Sequence, residues 1–518
     1  YGDMDIEERL TWLDEEYLSH YDANEVEVHS QIQLQKPFDA VVSERRTYPI
    51  TEDEPEEKHT YLSYNKVVGT VLDRELYQAF SILDYVLVSA PGAPVRQALI
   101  DAGIGEDVYG SFEDGMLQPM FSIVAKNADE SDQTRFVQII EETLQKLVKE
   151  GLNQDSLLAG INSAEFRFRE ADYGQFPKGL LYGLQCMESW LFDDTKPFIH
   201  LECLDTLQFL REQIKTGYFE DLIQKYLLDN AHGAVVVVAP EKGLNRAKEQ
   251  ALAEKLAAYK AGLSDAEVQA LIAQTRHLRE YQEEPSKEED LLKIPMLGRE
   301  DMKKKKNLLK IPMLGREDMK KEAMPFSNKE ENMGEIPVVR HEAPANGIDY
   351  ITLMFECNDI AEEEVPYLGL LRAVLGYVNT RSYSYADLAN AINIYTGGIT
   401  SGVSMYPDLK NHDAMAVKFE IRMKVLESNL EHAMKLAEEI LNSSDLHDTK
   451  RLAELIAQVK SRLQVNLSSS GHTVAAMRAL SYESVYAFYN DATIGIAYNQ
   501  MIRRLDEQMK ENPQAVAE

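Results

Sequence analysis

One order of strand and helix signals occurs twice in this chain, roughly 290 residues apart, and that recurrence limits the fold more than any single motif does. In the first copy, HTYLSYNKVVG at 59–69 is rich in aromatic and β-branched residues and reads as a strand. Leu72, Leu76, Phe80, Leu83 and Leu87 then recur every three or four residues, the spacing of one helix face over 72–89. VRQALIDAG makes a short helix stopped by Gly103, VYGSFEDG and MFSIVAKN read as a strand pair, and helices follow over about 131–150, 153–170, 175–192 and 205–229. The apolar run AVVVVAP at 234–240 closes the module as a buried strand. In the second copy GIDYITLMFECND at 347–359 takes the place of the first strand, and Leu368, Leu371 and Leu375 mark the helix after it. ADLANAINIYTGGITSGVS answers the short helix and its strand, MAVKFEIRMKV answers MFSIVAKN, and two helices follow at 426–442 and 447–465. No counterpart of AVVVVAP appears before the polar helical tail, so the second copy reads as incomplete.

Between the copies, residues 243–283 are rich in Ala, Leu, Glu, Lys and Gln and are split by Gly262-Leu263-Ser264-Asp265, which predicts a helical hairpin capped by Ser264 or Asp265. The stretch 283–331 holds 12 acids and 12 bases and reads as a linker. Within it LLKIPMLGREDMKK at 291–304 recurs at 308–321, a tandem duplication of period 17 that is too short for a solenoid. One copy is expected to pack on the hairpin and the other to loop out. The run Lys303–Lys306 reads as a solvated face of the linker. Residues 6–19 predict a helix, with Ile6, Leu10, Leu13 and Leu18 near one face, and the polar stretch from there to Pro55 reads as an interdomain strap.

Acids outnumber bases by 87 to 54, a formal charge of −33, which repels phosphate backbones and argues against nucleic acid as a partner. No stretch approaches the ~20 apolar residues of a membrane helix, so no membrane partner is expected either. Three cysteines, Cys186, Cys203 and Cys357, form neither a disulfide framework nor a zinc ribbon and suit a reducing compartment. The chain begins YGDMDIEERL, with Tyr rather than Met, and reads as part of something longer.

Catalytic motifs fail one by one. Gly103 and Gly105 begin a dinucleotide fingerprint, but Val108 occupies its third glycine position. Gly174 and Gly179 have phosphate-loop spacing, but Leu180 and Leu181 stand where Lys and Ser or Thr are needed. His341-Glu342 starts a zinc motif, yet Ala345 replaces its second His, and no inverted H-x-x-E-H occurs among the 11 histidines. His200 and Cys203 have no third ligand near them in sequence and read as a partly buried helix-end pair. No catalytic and no metal residue is therefore assigned. Two segments stay open. Gly397 and Gly398 in YTGGITSGV allow a peptide to approach a strand closely, or serve internal packing of helix on sheet. His472 and Arg478 in SSSGHTVAAMRALSY fit a cavity that receives an acidic group or a peptide carbonyl, or equally a helix cap and a surface charge.

Several of these segments, among them YGDMDIEERLTWLDEEYLS, the stretch from TYLSYNKVVGTVLD to MFSIVAKN, EEDLLKIPMLGREDMKKEAMP, PYLGLLRAVLGYVNTRSYSYADLANAINIYTGGITSGV and SSSGHTVAAMRALSY, resemble the presequence protease branch of the insulinase (pitrilysin) family of zinc metallopeptidases. The resemblance runs in order along essentially the whole chain. It implies the α+β class, with tandem two-layer LuxS/insulinase-type domains joined by a helical hairpin. On that alignment 1–38 is the end of a catalytic domain plus a linker, 39–242 a second α+β domain, 243–334 the hairpin and charged linker, and 335–518 an incomplete third domain. It further implies a chamber that closes around short unstructured peptides, with zinc held by the first domain and an Arg and a Tyr supplied by the fourth. The duplicated 17-residue block departs from the family pattern. No residue here matches the zinc positions, so no metal is expected on this chain. The implied partners are peptide substrates and the missing first and fourth domains, and Gly397, Gly398, His472 and Arg478 become candidates for lining the chamber. The implied location is the cytoplasm of a bacterium or the mitochondrial or plastid matrix of a eukaryote. A noncatalytic peptide-binding or scaffold protein of the same family is the alternative.

Overall fold

The computed structural model describes residues 5–21, 31–287, 328–343, 345, 347–408, 411 and 415–517. The duplicated 17-residue block and the Lys303–Lys306 run lie outside them. The described residues form two units. One gathers the N-terminal helix, the hairpin and a short ribbon, and the other gathers both α+β modules.

Helix α1 (Ile6–Glu16) starts where the Asp5 carboxylate accepts from the backbone N–H groups of Glu7 and Glu8, both at 3.1 Å. Strand β1 (Val42–Ile50) falls in the segment that the sequence presents as a strap, and corrects that reading. It occupies one edge of a sheet with side chains largely exposed on both faces, so no alternation marks it, and Pro49 is tolerated because an edge strand can spare a donor.

β2 (Thr60–Val67) alternates fully buried with half-buried residues. α2 (Arg74–Asp84), capped by Asp73, puts Leu76, Phe80 and Leu83 into the core and runs on into a π-type turn at Tyr85–Ser89. After it come α3 (Pro94–Asp101), β3 (Asp107–Glu113), β4 (Met120–Ala128), α4 (Gln133–Glu150), α5 (Gln154–Glu170) and α6 (Lys178–Trp190). The helix expected over 205–229 is broken into α7 (Cys203–Gln213) and α8 (Tyr218–Ile223), because Gly217 adopts a φ of +84° between them. β5 (Gly233–Lys242) completes a sheet of order β1-β5-β2-β4-β3, and the helices cover one face of it around Leu62, Phe80, Phe121, Ile123, Phe136 and Leu157.

The hairpin is α9 (Leu244–Ala261) and α10 (Asp265–Glu283). Ser264 and Glu267 form a reciprocal capping box at the start of α10, and neither helix buries a residue. β6 (Asn328–Met333) and β7 (Ile336–His341) make an antiparallel ribbon that polarity had hidden.

The second module contains β8 (Ile348–Glu356), α11 (Val365–Val374), α12 (Tyr385–Tyr395), β9 (Gly398–Pro407), β10 (Met415–Leu426), α13 (Leu430–Ser443) and α14 (Thr449–Ser469). These repeat β2, α2, α3, β3, β4, α4 and α5 in order, and the sheet β8-β10-β9 repeats β2-β4-β3 with every pairing antiparallel. The registers agree as well: Ile123 lies between Tyr64 and Gly110, and Ile421 between Leu353 and Ser401. α15 (Gly471–Leu480), α16 (Val485–Ile494) and α17 (Ile496–Glu511) follow, and α17 packs on α14 through Ile456, Met501, Ile502 and Leu505.

Candidate functional site

Val417, Phe419, Ile421, Met423 and Val425 are buried against α13 and its neighbours, so the period of two sends Lys418, Glu420, Arg422 and Lys424 to the opposite face of β10. That face has Tyr350, Thr352, Met354 and Glu356 of β8 on one side and Gly398, Thr400, Gly402 and Ser404 of β9 on the other. The Glu420 side chain is wholly buried within it, accepting from Tyr406 Oη at 2.5 Å, Arg422 Nε at 2.8 Å and Ser404 Oγ at 3.0 Å. Burial pushes its carboxyl up in pKa, but the bonds from Tyr406, Arg422 and Ser404 outweigh burial and hold it below the ordinary range. Lys418 pairs with Glu356. Lys424 reaches Glu170 at the end of α5, 2.8 Å away, and Tyr350 Oη donates to the same carboxylate at 2.8 Å. The first module thus closes one end of this face. The strip around Thr400, Gly402, Arg422 and Thr352 is left open, and a Cβ at Gly398 or Gly402 would touch nothing within 4 Å.

The residues singled out from sequence separate. Gly398 lies on this face opposite Lys424, with a φ of +130°. Gly397 turns the other way: its N–H donates to the Lys424 carbonyl at 2.7 Å, and its Cα packs on the Phe166 ring of α5. His472 is exposed in the first turn of α15. Arg478 is committed to the buried Asp491, 2.6 Å away, whose other oxygen accepts from the N–H of Ile496 at the start of α17. No hydrogen bond, ion pair or ring contact among the described residues joins the glycines to His472 or Arg478. The buried Glu420 was not singled out, although the alternating K-E-R-K of MAVKFEIRMKV is the signal of a polar sheet face.

The His200 ring lies on that of Tyr77, with centroids 4.3 Å apart, and burial lowers its pKa. The Cys203 thiol sits 3.6 Å from Gln78 Oε1 and is pushed up to about 11 by burial, far from the thiolate that a metal needs.

A family profile described as Peptidase M16 inactive domain matches residues 1–163, and a second, for the segment associated with subfamily C of the M16 peptidases, matches 238–309 and 302–505. Protein HypA of Clostridium perfringens is 35% identical over 512 residues, 99% of this chain and 51% of that protein. Presequence protease 1, chloroplastic/mitochondrial, of Arabidopsis thaliana is 28% identical over 528 residues, 100% of this chain and 47% of that one. The solved structure of pitrilysin is 12% identical with a TM-score of 0.42, covering 98% of this chain and 52% of that chain. This chain spans about half the length of the curated relatives it matches. Its class is a tandem-domain α+β protein of the metallopeptidase type. More narrowly, the chain belongs to the M16 peptidase family, within its subfamily C.

Peptidases of this family generally use zinc. Among the described residues no three His, Cys, Asp or Glu side chains converge to ligate one, so the metal does not fit here. No described helix is long and apolar enough to cross a membrane.

Proposed function

We propose that this chain is the noncatalytic middle of a zinc endopeptidase that degrades short, unstructured peptides in a closed chamber. The open face of β8, β10 and β9 forms one wall of that chamber. The observation that carries the reading is the strip at Thr400, Gly402 and Arg422, where a missing side chain leaves the sheet backbone open beside hydrogen-bonding groups. Zinc and the hydrolytic groups belong to the first domain of the parent protein, and the fourth domain closes the opposite side. The working location is the mitochondrion or plastid in a eukaryote, as the presequence protease relatives are named, and the cytoplasm in a bacterium.

The test is anisotropy of a fluorescein-labelled unstructured peptide titrated with the 518-residue chain. Saturable binding that weakens on Gly402→Trp, with an unchanged circular dichroism melt, supports the wall. Absence of binding, or equal binding by Gly402→Trp and Thr400→Trp, removes it.

A further inference from the structure

We propose that the free edge of β8 is a docking site for one further antiparallel β-strand. That strand is extended, has β-branched residues at alternate positions, and is supplied by the portion of polypeptide that the longer relatives carry and this chain does not span. The inference stands on the internal duplication and is independent of the peptide-wall reading. The shared register makes Tyr350–Phe355 of β8 the counterparts of Tyr61–Lys66 of β2. In the first module β5 covers that edge, pairing Val238 through Gly233 with Tyr61 through Lys66. Among the described residues β8 pairs with β10 alone.

Burial registers the difference. Leu62, Tyr64 and Lys66 are 0%, 1% and 2% exposed, because β5 and the turn at Gln224–Leu228 lie over them; Tyr64 Oη donates to the Leu227 carbonyl. Their counterparts Ile351 and Leu353 are half-buried although they face the core, and Phe355 is 43% exposed. Permanent sheet edges are blunted by proline, bulges or inward charges. From Tyr350 to Phe355 β8 has no proline and no charge, and its nine-residue pairing with β10 is unbroken. The row is built as an interior strand. A matching strand would satisfy its outward backbone groups and cover Leu353 and Phe355.

The probe is a labelled synthetic peptide with the β5 sequence GAVVVVAPEK, added to the 518-residue chain. The readouts are hydrogen exchange and size-exclusion chromatography. The proposal expects fast exchange at 350–355 in the free monomer, and saturable peptide binding that slows those amides about tenfold or more. Phe355→Lys, with an unchanged melt, should weaken binding about fivefold. A version of the peptide with proline at alternate valines should not bind, for want of N–H donors. Any of three results overturns it: no protection of β8 by the peptide, equal protection by a Gly/Ser-rich peptide, or a β8 already protected in the free chain, whether as monomer or as dimer.

Discussion

Phe166 of α5 fills the space in which a Cβ on Gly397 would lie, so the two α+β modules meet through an absent side chain. The contact belongs to a broader seam. Tyr85 Oη accepts from Asn393 Nδ2 at 2.6 Å, Asn390 Nδ2 donates to Ser156 Oγ at 2.9 Å, and Lys126 Nζ donates to the Ser461 carbonyl at 3.3 Å. Packing through glycine demands close approach, which any substitution there undoes.

Gly397→Ala should therefore destabilise the chain by about 1–3 kcal/mol, because Phe166 must leave its rotamer or α5 must shift. Gly402→Ala, whose new methyl meets open space, should stay within about 0.5 kcal/mol. Urea denaturation of both variants checks the contrast, and equal losses would contradict it.

Glu170 holds the seam from its other end. Its carboxylate is 8% exposed and takes both Lys424 and Tyr350. Lys424→Met leaves that charge with one donor fewer and should cost about 1–3 kcal/mol. Adding Glu170→Gln should recover part of the loss, since the unpaired charge is then gone. A double-mutant cycle in urea reads the coupling.

Alkaline conditions should weaken the fold. Burial pushes Tyr218 and Tyr498 from the ordinary 10.0 up to about 12. Below pH 10 both states keep these protons. Above it the unfolded chain loses them first, the folded chain binds more, and stability falls between pH 10 and about 12. The Tyr498 hydroxyl is buried without a hydrogen-bond partner, so Tyr498→Phe should flatten that decline and add about 1 kcal/mol at neutral pH. Urea midpoints at neutral and alkaline pH measure both effects, and a rise in stability above pH 10 would contradict the sign.

Limited trypsin digestion should cut first within 284–334, where charge is high and apolar spacing is absent. Earlier cuts inside 120–240 would show that the module boundaries are misplaced.

How much of this was legible in the sequence follows from where each signal is local. α2 and β5 could be read because their apolar residues recur at the spacing of a single element, and the hairpin because Ser264 and Glu267 sit three residues apart. β1 and the β6–β7 ribbon could not, since both are exposed on two faces and leave no alternation to see. Gly217 divides α7 from α8 through a backbone angle that residue identity permits but does not require. The site was half visible. The alternating charges of β10 announce an open face, but that Gly397 serves Phe166 and Arg478 serves Asp491 is decided by partners on other elements. Burial of Glu420 depends likewise on Tyr406 and Ser404 across the strand pair.

The central claim is that this chain contributes a chamber wall and leaves metal and hydrolysis to other domains of its parent. The most direct measurement is metal analysis with a quenched-peptide assay on the purified 518-residue chain, alone and after adding the remaining domains as a second polypeptide. The account predicts no stoichiometric zinc and no cleavage by the chain alone. Chelator-sensitive cleavage of short peptides, but not of folded proteins, should appear once the other domains are present. Stoichiometric, tightly bound zinc with peptide turnover by the chain alone would contradict it.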